Sequence, residues 1–89
     1  MDINLNELTE KELIILTEVI KGKTNEEIGN TFFISKHTVK AHIKKILSKT
    51  KLKHRCQLIS KVLTNFANLD LNSPILTSQL LKQNLNITK

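Results

Sequence analysis

Twice within its first 27 residues the sequence reads Thr-x-x-Glu, from Thr9 to Glu12 and from Thr24 to Glu27. At that spacing the Thr hydroxyl accepts a backbone amide of the first helical turn, and the Glu carboxylate accepts the Thr amide in return. Each pair is therefore a helix start, and two starts so close together restrict the chain to a bundle of short helices. The first helix, predicted from Thr9, carries Leu13, Leu16 and Ile20 on one face, with Ile15 and Val19 widening it. Gly22 after Lys21 supplies a left-handed stop. The second, predicted from Thr24 to about Phe32, turns Ile28 and Phe32 inward at a spacing of four. Gly29 costs roughly 1 kcal/mol of helix propensity relative to Ala, which predicts close packing of that site against another helix.

A tight connection through Phe33 and Ile34 leads to Ser35, a good N-cap, and the stretch from Lys36 to about Thr50 contains neither Gly nor Pro. On a helical wheel Val39, Ile43, Ile46 and Leu47 cluster on one side with Thr50 behind them, while His37, Ala41, Lys44, Lys45 and Ser48 occupy the other. A fourth helix is predicted from about His54 to Phe66. Its stripe of Leu58, Ile59, Val62, Leu63 and Phe66 can cover the core, a partner subunit, or both. Phe32, Phe33 and Phe66 are all expected in the core. Beyond Asn68 the chain is rich in Asn and Leu, and Ser73 with Pro74 fits the cap and first position of a short extra helix holding Leu76, Leu80 and Leu81. The expected fold is all-α, a four-helix domain over residues 1–67 followed by a C-terminal tail over 68–89.

Charge is distributed unevenly. Residues 1–27 hold seven acids and three bases, whereas residues 28–69 hold nine bases and no acid. One side of the molecule therefore seeks anions. With three Phe and no Trp or Tyr, the chain lacks aromatic platforms for stacking single-stranded bases. The 89 residues form one domain with a small core of Leu, Ile and Val.

Two helices joined by a short turn, the second basic and facing solvent, form a helix-turn-helix, which places its second helix in the major groove of DNA. Ala41 and Ser48 are small enough for close approach to the groove floor. Lys40 and Lys44, one turn apart, can reach guanine O6 and N7, so Lys40, Ala41 and Lys44 are the predicted base readers. Backbone phosphates are assigned to Lys36, Thr38, Lys45, Lys49 and Lys51 and to the amides near Thr24 and Ser35.

Other chemistry finds little footing. His37 and His42 lie five apart, on different sides of their helix, and no His, Cys or carboxylate completes a metal set with them or with His54. Cys56, the sole cysteine, cannot form an intramolecular disulfide, is read as a packing residue, and suits a reducing compartment. There is no nucleophile with its base, no glycine-rich phosphate loop and no carboxylate cluster, so neither a cofactor nor catalysis is expected. Nor is there a signal peptide or a stretch apolar enough to span a membrane, and a cytoplasmic, nucleoid-associated location is expected.

The segments LTEKELIIL (8–16), KGKTNEEIG (21–29), ISKHTVKAHIKKILSK (34–49) and LKHR (52–55) resemble the LuxR-type, or GerE-like, helix-turn-helix domains of bacterial transcription regulators. The resemblance runs from Leu8 to about Leu63 and implies four helices, the third reading the major groove and the fourth commonly dimerising. Carried over by position, it implies Lys40, Ala41 and Lys44 as base readers, with Thr38, Lys45 and Lys49 on the DNA backbone. The sequence departs from the family pattern at Lys11, usually Arg; at Ile14, commonly an acid; at Gly29, usually Ala; and at Thr50, usually Leu or Met. Thr50 is expected to weaken a core slot, and Ile14 to stand exposed unless the tail covers it.

The expected function is sequence-specific binding of double-stranded DNA by a freestanding transcription regulator, as a homodimer, with RNA polymerase as a further partner. The alternative is an interaction module that heterodimerises with a larger regulator and modulates it.

Overall fold

The computed structural model describes residues 5–65, and the order is α1 (Glu10–Ile20), α2 (Asn25–Phe32), α3 (Lys36–Thr50) and α4 (Arg55–Asn65), with no strand among the described residues. Phe66 and the predicted helix after Ser73 lie outside the described residues.

Both capping boxes form. The Thr9 hydroxyl accepts from the Glu12 amide at 3.1 Å while Glu12 accepts from the Thr9 amide at 2.8 Å, and Thr24 and Glu27 repeat the exchange at 3.1 and 2.9 Å. Leu8 and Leu13, at the positions of a hydrophobic staple around the first box, are both buried. Gly22 takes the left-handed conformation just past α1, with φ of 88°. Such a φ strains any side chain, so Gly22→Ala is expected to lower stability by about 1 kcal/mol in a denaturant titration.

The core is assembled from all four helices. Leu16, Val19, Ile28, Val39, Ile46, Leu58 and Val62 are wholly buried, and Leu5, ahead of α1, joins them. α3 lies at the centre, in contact with α1, α2 and α4. Its inner side is Val39, Ile43 and Ile46, with Leu47 packed against them at partial burial. Burying a Leu, Ile or Val side chain stabilises by about 1.5–3 kcal/mol, and in a core this small each one matters.

Four details differ from or refine the sequence expectations. Gly29 is tight against the turn that follows α2 and the very start of α3: a Cβ there would stand 2.5 Å from the Ile34 carbonyl oxygen and 3.4 Å from the Lys36 nitrogen. Phe33 is not in the core. It closes α2 in the left-handed region, with φ 58° and ψ 39°, and this conformation throws its ring outward to 94% exposure. Thr50, half-buried, settles its hydroxyl by donating to the Ile46 carbonyl at 2.8 Å, so the slot holds a polar group without leaving it unpaired. Ile14 is half-buried.

Candidate nucleic-acid interface

α3 begins at Ser35, whose Oγ accepts from the Thr38 amide at 3.1 Å and lies 3.0 Å from the Thr38 hydroxyl. Its first turn contains no acid, in contrast to the first turns of α1 and α2. The partial positive charge of this helix start is therefore reinforced by Lys36 instead of being neutralised, which suits it to an anion.

From that start the solvent face of α3 continues as Lys36, His37, Thr38, Lys40, Ala41, Lys44, Lys45 and Ser48, all exposed. Lys40 and Lys44 stand one turn apart with Ala41 between them. Among the described residues no carboxylate pairs with Lys36, Lys40, Lys44 or Lys45; the ion pairs use Lys21 and Lys23, both with Glu18, and Lys49 with Glu12. The result is a row of solvated ammonium groups on a helix whose opposite side is fixed in the core. Such a surface can follow a polyanion while presenting donors at fixed spacing.

The remaining predicted phosphate residues are placed differently. Thr24 and Ser35 are exposed, but their hydroxyls already accept capping amides. Lys51 is exposed and ends α3 in the left-handed region, with φ of 61°. Lys49 turns toward α1 and donates to Glu12 at 2.7 Å. This pair sits at one end of a cleft of about 510 Å³ between the start of α1 and the flank of α3, lined by Thr9, Lys11, Glu12, His42, Lys45, Ser48 and Lys49.

Glu12 is thus shared between two tasks, capping α1 and tying it to α3. Burial pushes its carboxyl up, but the Lys49 ammonium and the Thr9 amide and hydroxyl together outweigh that and hold it below the ordinary carboxylate value. A depressed folded-state pKa contributes stability that is present above the unfolded value and lost as pH falls through the folded one. The melting temperature is expected to drop below about pH 4, and Glu12→Gln to flatten that acid limb. An equally steep acid limb in Glu12→Gln would assign the pH dependence to other groups.

At the other end of the domain, the Arg55 guanidinium donates to the Asn25 side-chain oxygen and to the Lys23 carbonyl, pinning α4 to the link between α1 and α2. The sequence reading missed both long-range ties, because their partners lie 37 residues apart for Glu12 and Lys49 and about 30 for Arg55. The stripe expected to dimerise is split. Leu58 and Val62 are consumed by the core of the chain itself, Ile59 is half-buried and Leu63 is exposed at 40%. The four positions follow α4's wheel, which allows only one side to face the core.

The sequence profile described as bacterial regulatory proteins, luxR family, matches residues 6–62, more than half of the chain and all of α1, α2 and α3. The chain belongs to the luxR family of bacterial regulatory proteins. Among its relatives is the transcriptional regulatory protein LiaR of Bacillus subtilis, 52% identical over 50 residues, which are 56% of this chain and 24% of LiaR. The response regulator protein VraR of Staphylococcus aureus is 42% identical over 52 residues, 58% of this chain and 25% of VraR. The glycerol metabolism activator of Pseudomonas putida is 40% identical over 55 residues, 62% of this chain and 25% of the activator. The chain thus spans about a quarter of the length of these curated relatives. No solved structure matches it significantly. Among the described residues no helix is long and apolar enough to cross a membrane.

Proposed function

We propose that this luxR-family chain binds double-stranded DNA sequence-specifically to regulate transcription, with α3 in the major groove and two copies joined through α4. The observation that carries the reading is the division of α3. Its inner side is locked in the core, and its outer side is an exposed row of lysines that no carboxylate among the described residues neutralises. Lys40, Ala41 and Lys44 face the base edges. Lys36, Thr38, Lys45 and Lys51, with the helix starts at Ser35 and Thr24, meet phosphates. Lys49 is engaged by Glu12, so it acts as a brace for α1 and meets a phosphate only by sharing its ammonium with that carboxylate. The luxR-family relatives named as regulators of transcription support the regulatory role.

For the dimer, Leu63 is the apolar side chain that α4 leaves exposed, with Ile59, one turn before it and only partly covered by the core, beside it. A two-fold pair reads an inverted repeat with half-sites about one helical turn apart.

Selection of bound duplexes from a random pool tests the proposal. The expected outcome is an inverted repeat with such spacing. Recovery of no preferred sequence, at any salt concentration that permits binding, would reject base reading. With about six phosphates neutralised in the complex, log affinity is expected to fall against log salt with a slope of about −5. A slope near zero in an anisotropy titration series would contradict the phosphate contacts.

A further inference from the structure

Phe33 is the most exposed large apolar side chain among the described residues, and it occupies a left-handed backbone position where Gly or Asn would sit without strain. Neither its burial nor its conformation accounts for a Phe there. Its place in the fold suggests what does. Ser35, the cap of the groove-entering helix, is two residues on, at most about 7 Å along the chain. The Ile34 amide donates to the Gly29 carbonyl at 2.9 Å, and that carbonyl's residue abuts the turn, so Phe33 is held outward rather than free to fold back. The chain around it is cationic, with Lys36 exposed three residues on and no acid from residue 28 to residue 69.

We propose that Phe33 is a DNA contact, its ring lying against apolar carbon at the wall of the major groove, a deoxyribose or the C5-methyl of a thymine, when α3 occupies the groove. The inference rests on the DNA-binding reading above. A Phe ring is one of the few side chains that recognise the thymine methyl, and the same ring packs against sugar carbons. Because the contact is uncharged, it adds affinity without releasing counterions.

The test is an anisotropy titration of wild type, Phe33→Gly and Phe33→Asn on the selected inverted repeat at several salt concentrations. Both replacements tolerate the left-handed conformation, so both are expected to melt at or above the wild-type temperature. Their affinity is expected to fall by about tenfold with the salt slope unchanged. Repeating the series with uracil in place of each thymine separates the two surfaces. Against a methyl, one uracil duplex weakens the wild type and leaves Phe33→Gly indifferent; against a sugar, every uracil affects both proteins equally, including any read by Ala41. Variants that bind the repeat as tightly as wild type would overturn the proposal, as they would if Phe33 met a protein partner instead. A wild-type chain that bound no duplex would overturn both this proposal and the reading on which it rests.

Discussion

Gly29→Val is expected to destabilise the domain by roughly 3 kcal/mol, a large share of the total for a domain of this size. The three nearest atoms to a new Cβ are all backbone: the Ile34 carbonyl oxygen at 2.5 Å, the Lys36 nitrogen at 3.4 Å and the Ser35 carbonyl carbon at 3.4 Å. None of them can rotate aside as a flexible side chain would. The turn itself would have to open, yet it is tied by the Ile34 amide to the Gly29 carbonyl, and α3 starts immediately after it. A branched side chain adds further bulk and loses rotamer freedom within α2. For a domain of 60–100 residues the loss corresponds to a drop of about 12–24 °C in melting temperature, with Gly29→Ala between it and wild type. A Gly29→Val protein melting with the wild type would show that the turn does not depend on this contact.

The second large effect concerns binding. Replacing Lys40 and Lys44 together by Ala is expected to weaken affinity for the selected repeat by about a hundredfold or more, since a good base-edge contact contributes about 1–3 kcal/mol. Both residues are exposed, and no carboxylate among the described residues pairs with either, so the melting temperature should move by no more than about 0.5 kcal/mol of stability implies. That separation matters because it divides a lost contact from a lost fold. Replacing Ile46 on the opposite side of the same helix should do the reverse, costing stability first, because that side chain is wholly buried.

Where the governing interactions are local, the sequence carried the fold well. Thr9 with Glu12, Thr24 with Glu27, and Ser35 with Thr38 are capping partners three residues apart, and all three form as spaced. The apolar period of α1 and α3 likewise picks out residues that are buried. Tertiary choices were less legible. The stripe on α4 looks continuous in sequence, but packing against one side divides Leu58 and Val62 from Leu63. Phe33 looks like core because it is aromatic and next to Phe32. Its left-handed backbone, which no Gly or Asn announces, turns it outward instead. Lys51 ends α3 in the same conformation with the same lack of warning. The candidate interface was readable as composition, through the acid-free run, whereas the claim of Glu12 on Lys49 required the fold to bring α1 against α3.

Direct reading of bases by α3 is most sharply tested by measuring Lys44→Ala and wild type against the selected repeat and against each of its single base-pair substitutions. The expected result is that Lys44→Ala loses discrimination at one base pair in each half-site and keeps it at every other position. A variant weakened by the same factor on every duplex, with all discrimination intact, would contradict the account and leave Lys44 a phosphate contact.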